Sequence, residues 1–277
     1  MKGQIVKIIS DLHFVKYDNK IYPCKCRGIL RHEHITPLVG EYVLFDENEL
    51  IINEILPRKN SFDRPKVCNI DQAFIITSLV IPDFSLNLLD KFLVLMELHK
   101  VKPIIIITKT DLVDDMSKFE EIFNYYRKIG YEVIYNTEID KIMSLLDGKI
   151  SVFTGQTGAG KSTLINKLDD SYDIETGDVS ISLGRGRHTT RETSMYEVSS
   201  GYIIDTPGFS ALDLNNYSKE EIRNAFIEFN NYPCEYRDCS HINTENCGVI
   251  QAVLDNNIIK SRYDNYLKFV GDDRKWK

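Results

Sequence analysis

The chain has 277 residues, a net charge of −7, and hydrophobic and charged fractions of 43% and 27%. These are the proportions of an ordinary globular protein of about two or three domains. No apolar run approaches the roughly 18 residues of a membrane span, and the acidic balance argues against nucleic acid as a partner on bulk charge alone.

The N-terminal Met-Lys-Gly-Gln-Ile-Val-Lys lacks the apolar core and small-residue cleavage site of a signal peptide, so a cytoplasmic protein is expected. Thiols stay reduced there, and clustered cysteines then suggest a metal rather than disulfides. Charge is uneven: residues 1–66 carry a net +2 and the remainder −9. Basic groups at Lys25, Arg27 and Arg31, at Arg185, Arg187 and Arg191, and at Arg274, Lys275 and Lys277 can still meet phosphates locally. Solvated faces are the simpler reading of each. No internal repeat or low-complexity tract is visible.

Residues 1–68 show short alternating segments separated by turn residues, such as Gly3-Gln-Ile-Val-Lys-Ile-Ile and Glu41-Tyr-Val-Leu-Phe. This spacing predicts a small all-β barrel. Within it, Tyr22, Cys24 and Cys26 share parity and should face one side of a strand. Buried barrel cysteines explain them more simply than a second metal site completed by His32 and His34. Cys68 stands alone and reads as structural.

Then the texture changes. Strands are predicted at 73–80, 103–108, 131–135, 149–154 and 201–205, with helices at 88–99, 117–129 and 161–168. Alternation of this kind implies an α/β unit with a parallel sheet.

Thr108-Lys109-Thr110-Asp111 follows the second of these strands. It matches the guanine motif N-K-x-D except at its first position. The Asp carboxylate takes two hydrogen bonds from the guanine N1–H and N2 amino groups, which adenine does not offer, and the Lys stem packs on the purine face. Thr108 removes the amide that ordinarily ties the nucleotide loops together, so weaker nucleotide binding is expected. Asn136 and Thr137 are candidates for the loop touching the guanine carbonyl.

Gly155-Gln156-Thr157-Gly158-Ala159-Gly160-Lys161-Ser162 completes the phosphate-loop pattern G-x4-G-K-[ST], with Thr163 following. Glycines let consecutive N–H groups point inward at phosphate oxygens. The following helix adds its positive dipole end. Lys161 should reach the β- and γ-phosphates and Ser162 should ligate Mg²⁺.

Gly184 to Arg191 is polar and Gly-rich, and should be a mobile switch in which Thr190, or its neighbour Thr189, completes the Mg²⁺ shell when the γ-phosphate is present. Asp205-Thr-Pro-Gly208 ends a strand, so Asp205 can hold Mg²⁺ and the Gly208 N–H can sense the γ-phosphate. The position after it, often a water-orienting Gln, is Phe209. Slow intrinsic hydrolysis follows, accelerated by a partner, with His188 the nearest candidate catalytic residue for positioning water. A phosphate- or RNA-facing His188 is the competing reading.

The base motif precedes the phosphate loop, the reverse of the ordinary order. A circular permutation keeps the same sheet if the old ends are joined and new ends open elsewhere. The second switch then leads directly into the C-terminal region. There Cys234, Cys239, His241 and Cys247 supply three thiolates and an imidazole, the donor set of a closed structural Zn²⁺ site.

With these motifs, and with Ile55-Leu-Pro-Arg-Lys-Asn, Arg64-Pro-Lys-Val-Cys-Asn-Ile-Asp-Gln72, Pro82-Asp-Phe-Ser and Leu89-Asp-Lys-Phe-Leu, nearly the whole chain resembles the bacterial ribosome small-subunit-dependent GTPase A family, RsgA. The resemblance implies an N-terminal OB-fold (1–68), a circularly permuted P-loop GTPase domain (69–213) and a C-terminal helical zinc-binding domain (214–277). It implies GTP hydrolysis to GDP and phosphate, stimulated by the small ribosomal subunit during late maturation, with contacts to its rRNA. Thr108 departs from the family's usual Asn. A monomer is expected, since nothing suggests a coiled coil or a broad apolar stripe. The competing reading is a zinc/OB-fold RNA-binding module with a vestigial nucleotide site, resting on Thr108 and Phe209; Asp111 argues against an ATPase.

Overall fold

The computed structural model describes residues 1–28, 36–62, 65–168, 194–205 and 214–271. The first five strands are β1 (Lys2–Ile9), β2 (Leu12–Tyr17), β3 (Lys20–Cys26), β4 (Tyr42–Asp46) and β5 (Ile51–Ile55). They pair in the order β1-β2-β3-β5-β4, and β4 returns to β1, closing a five-stranded barrel. Alternate residues point inward, so Ile5, Val15, Cys24, Val43, Phe45 and Ile52 make one core. Cys24 belongs to that core, where burial pushes its thiol up to about 11. Cys26 is half-buried, its Sγ 3.8 Å from His13 Nδ1. Cys68 is buried with its Sγ 3.6 Å from the Val39 carbonyl. His32 and His34 lie outside the described residues.

After a short hairpin of β6 (Ser61–Phe62) and β7 (Val67–Cys68), strands and helices alternate: β8 (Gln72–Ser78), α1 (Leu86–Leu98), β9 (Lys102–Thr108), α2 (Ser117–Lys128), β10 (Glu132–Tyr135), α3 (Ile139–Leu146), β11 (Ile150–Gly155) and α4 (Lys161–Leu168). The hairpin β12 (Ser194–Val198) and β13 (Gly201–Asp205) follows. The order is β10-β9-β8-β11-β13-β12, parallel except for β12.

The run Ile104–Ile107 shows why. A strand covered on both faces needs apolar residues at every position. Ile105 and Ile107 enter a core with Leu89 and Phe92 of α1 and Phe123 and Tyr126 of α2. Ile104 and Ile106 enter another with Ile142 and Leu146 of α3 and Leu164 and Ile165 of α4. α3 and β12 are the elements absent from the sequence-based expectation. Both are short, eight and five residues, and give few repeats of any periodic pattern.

The barrel and the parallel sheet are not separate sheets. Lys7 of β1 pairs with Ser194 of β12, joining eleven strands. Lys16 adds an ion pair to Glu197, and its ammonium lies 5.0 Å over the Tyr202 ring.

The C-terminal helices are α5 (Lys219–Asn224), α6 (Gly248–Leu254) and α7 (Lys260–Phe269), with a 3-10 turn at Ile227–Asn231. Ser218 and Glu221 form a reciprocal capping box at α5. α7 packs against α1 around a fully buried charge cluster. Arg262 donates to Asp90 at 2.6 Å and to Glu228 at 2.7 Å, and Asn265 donates to the other Asp90 oxygen at 2.6 Å. Tyr126 donates to Asp90 at 2.5 Å. Among the described residues no helix is long and apolar enough to cross a membrane.

Candidate nucleotide site and metal centre

The chain runs from β8 outward to β9 and β10, then returns to β11 on the other side of β8. The carboxyl ends of β8 and β11 therefore flank a topological switch point, where open α/β sheets leave a crevice for ligands. Residues after β8, β9 and β11 meet there, and those after β10 lie at the same end of the sheet.

The phosphate loop leaves β11 at Gly155, which is paired with Ile76. Gly155 has φ 142°, and a Cβ there would lie 2.1 Å from the Ile76 carbonyl oxygen. Only glycine lets the loop start this close to the neighbouring strand. Gly158 and Gly160 also have positive φ, 77° and 97°. Ala159 is buried in the core beneath, while Gln156 is half-buried and Thr157 and Gly158 are exposed. Lys161 folds back along the loop, donating to the carbonyls of Gln156 at 2.8 Å and Gly155 at 3.0 Å. Ser162 and Thr163 lie in the first turn of α4.

The base motif comes off β9. Thr108 is only 2% exposed. Its hydroxyl donates to the Ala159 carbonyl at 2.7 Å. The shorter hydroxyl reaches the phosphate loop directly because β9 ends beneath it, so one tie between the two loops is present without the Asn amide. Lys109 has left-handed backbone, φ 59°, and its ammonium donates to the Ile81 carbonyl in the loop after β8. Asp111 is exposed in the 3-10 turn Thr110–Leu112, beside half-buried Thr110. Asn136 and Thr137 follow β10 at the same end, with the Asn136 N–H on the Ile107 carbonyl at 2.9 Å.

Asp205 ends β13, adjacent to β11, its backbone paired with Ser194. His188, Thr189, Thr190, Gly208 and Phe209 lie outside the described residues, as do Arg31, Arg185, Arg187, Arg191, Arg274, Lys275 and Lys277.

The ligand atoms of Cys234, Cys239, His241 and Cys247 all lie within 4.8 Å of one another. Cys234 Sγ is 3.6 Å from Cys247 Sγ, and His241 Nδ1 is 3.4 Å from each of those sulfurs. A tetrahedron with metal–sulfur bonds of ~2.3 Å has edges of about 3.8 Å, so the donor set is compatible with zinc. Burial, followed by the nearby positive Arg223, pushes His241 down to about 4, leaving the neutral imidazole a metal needs.

Further groups, which spacing does not disclose, brace this loop. Tyr263 donates to the His241 carbonyl at 2.6 Å, Tyr266 to the Ser240 carbonyl, and Arg223 to the Cys239 carbonyl at 3.1 Å. Ile250 N–H and His241 N–H each point at a cysteine sulfur, Cys247 and Cys239, at 3.4 Å. The cluster is thus surrounded by donors before any metal is considered. Arg262 carried one signal of its own: it is a lone cation among buried positions of α7.

Comparison with known proteins bears on both regions. Residues 2–50 match the RsgA N-terminal domain and residues 55–215 match the RsgA GTPase. The chain belongs to the RsgA GTPase family. It is 43% identical to the small ribosomal subunit biogenesis GTPase RsgA of Geobacillus sp. (strain WCH70), covering 100% of this chain and 98% of that protein. The Streptococcus agalactiae protein of the same name is 44% identical over 98% of this chain and 95% of its own. YjeQ from Thermotoga maritima superposes with a TM-score of 0.85 at 31% identity, covering 99% of each chain. YloQ, described as a circularly permuted GTPase, gives 0.82 at 35% identity, covering 100% of this chain and 96% of the other. The reversed motif order therefore belongs to a known permuted fold.

Proposed function

We propose that this family member hydrolyses GTP to GDP and phosphate during biogenesis of the small ribosomal subunit, with the subunit stimulating turnover. The observation that carries the reading is the convergence of the base motif and the phosphate loop at one topological switch point, in permuted order. The names of the relatives supply the biological setting.

In this reading the backbone N–H groups of 156–162 and the α4 N-terminus receive the phosphates. Lys161 exchanges its loop carbonyls for phosphate oxygens. Ser162, Asp205 and Thr190 hold Mg²⁺, which neutralises charge on the β- and γ-phosphates when bound. Lys109, held by the Ile81 carbonyl, lays its stem along the purine face, and Asp111 accepts from the guanine edge. Thr110 and Thr163 complete the pocket wall, and the Gly208 N–H contacts the γ-phosphate and senses its loss. His188 orients water. The cysteine–histidine cluster holds one structural Zn²⁺ with no open position.

The reading extends to a monomer working in the cytoplasm, with a barrel at 1–68 and a zinc module at 214–277 that meet rRNA on either side of a GTPase domain at 69–213. OB-folds often serve nucleic acids in this way.

Phosphate release from GTP and from ATP, measured with and without purified small subunits, tests the proposal. Subunit-stimulated release from GTP alone is expected. Equal release from ATP, or none with subunits present, overturns it. Loss of stimulation in His188→Ala, with GTP still bound, is the result required of the water-positioning role.

A further inference from the structure

The chain leaves Asp205 through the second switch and is next described at Leu214, which is buried in the main core. Tyr217 follows, its N–H on the Leu214 carbonyl at 3.1 Å, and Ser218 then caps α5. A hydrogen bond of 2.8 Å joins the Tyr217 hydroxyl and His99 Nε2. His99 closes α1, its N–H on the Leu95 carbonyl at 3.2 Å. That helix is a fixed platform, held in the core through Leu89, Phe92 and Leu93 and tied to α7 by the Arg262–Asp90 pair.

His99 has a second neighbour. Its ring stacks on Phe62 of β6, with centroids 4.0 Å apart and planes 26° from parallel. The Tyr217 ring meets it edge-on, at 84°. One flat imidazole thus gives its face to one partner and its edge to the other. Phe62 pairs with Val67 of β7, and this hairpin grips the barrel. Val67 bridges Val39, Cys68 N–H donates to the Val39 carbonyl at 2.9 Å, and the Asn69 side chain donates to the Gly40 carbonyl at 3.0 Å. Gly40 N–H in turn donates to the Ile5 carbonyl of β1 at 2.8 Å. A continuous run of contacts therefore leads from the exit of the second switch to the barrel, through one half-buried histidine.

Contiguity alone does not couple two places; coupling needs an element with two arrangements that both places bias. The Tyr217–His99 contact suits that role. It is a single hydrogen bond between two half-buried side chains, whereas the Arg262 cluster is fully buried and several-fold bonded.

We propose that His99 is a latch: it joins the β6–β7 hairpin to the chain leaving the second switch, so that the nucleotide at the phosphate loop alters how firmly the barrel is held. The proposal rests on the proposed nucleotide site.

Amide hydrogen exchange on the full chain, with GDP and with a non-hydrolysable GTP analogue, tests it in wild type, Tyr217→Phe and His99→Phe. Both variants keep a ring and remove the hydrogen bond. In wild type, exchange in the hairpin should differ between the two nucleotides by about fivefold, the low end of typical couplings between sites. In both variants that difference should vanish. Coupling is reciprocal, so the ratio of the two dissociation constants should also move by about fivefold from wild type, although Phe62, His99 and Tyr217 lie outside the nucleotide site. A mere structural brace would lower stability and leave that ratio alone.

Equal hairpin exchange in the two nucleotide states of wild type overturns the latch. So does a wild-type difference in both variants, or a lost difference with an unchanged ratio, which would make His99 a brace. Should His99→Phe fail to fold, Tyr217→Phe, which loses one hydroxyl, carries the test alone. A wild type that binds neither nucleotide sinks the nucleotide reading and the latch with it; nucleotide binding without a hairpin response sinks the latch alone.

Discussion

The phosphate loop and the cysteine–histidine cluster are both short turns that gather ligand-binding atoms, yet they are built by opposite means. The loop is a backbone device. Its start is set by the pairing of Gly155 with Ile76, its curl by positive φ at three glycines, and its middle by one hydrogen bond from Thr108. The cluster is a side-chain device. No strand underlies it, and its shape depends on four ligands, with Tyr263, Tyr266 and Arg223 holding its carbonyls. A sheet can hold a loop without a ligand, whereas four thiol and imidazole groups crowded together need a metal to relieve them.

The largest effect that separates the two regions comes from the cluster. Cys247→Ser should lower bound metal from about one ion per chain to near zero and make 214–271 sensitive to proteolysis. Structural zinc contributes roughly 10 kcal/mol in small zinc folds. Metal analysis and limited proteolysis read the result. GTP should still bind; its loss would break the contrast by showing that the loop, too, depends on the metal.

Next is the contact that binds the two regions together. Arg262→Met strands Asp90 and Glu228 without their cation in a dry interface, and should cost about 3–5 kcal/mol. Denaturant unfolding measures it. The triple change Arg262→Met, Asp90→Asn, Glu228→Gln should recover part of the loss, because no buried charge is then left unpaired.

Gly155→Ala tests the backbone device. It puts a side chain at φ 142° against the Ile76 carbonyl, costing about 1–3 kcal/mol in strain before any clash is counted. GTP binding should fall below detection in titration calorimetry while metal content stays at wild type. Retained GTP affinity would show that the loop tolerates a shifted start.

The smallest effect is at the junction of barrel and sheet. Lys16→Met removes a partly exposed ion pair with Glu197 and should lower stability by at most about 1 kcal/mol, read as a small drop in the thermal midpoint. A much larger drop would mean that the single Lys7–Ser194 pairing does not hold the barrel in place.

Much of both sites was legible in the chain. A phosphate loop needs glycines and Lys-Ser at fixed spacing because its ligand contacts are local. The four metal ligands fall within 14 residues for the same reason. The strand before the base motif announced itself through the continuous apolar run Ile104–Ile107. The consequence of Thr108 was not legible, because it depends on a partner 51 residues away. Nor was the Arg262–Asp90 pair, whose members are 172 residues apart.

The feature that first marks this chain, a base motif ahead of its phosphate loop, was determined by sequence order alone. So were the chemistry of the donors and the alternation that dictates a parallel sheet. Tertiary structure decided how the parts hold one another. Strand order put β8 between β9 and β11, which brought Thr108 under Ala159 and Lys109 to Ile81. Sheet continuity attached the barrel to β12, and burial turned Arg262 into the bond between α7 and α1. Local spacing encodes what one turn of chain can do; which distant groups meet depends on packing that fills a core, and that is a property of the whole fold.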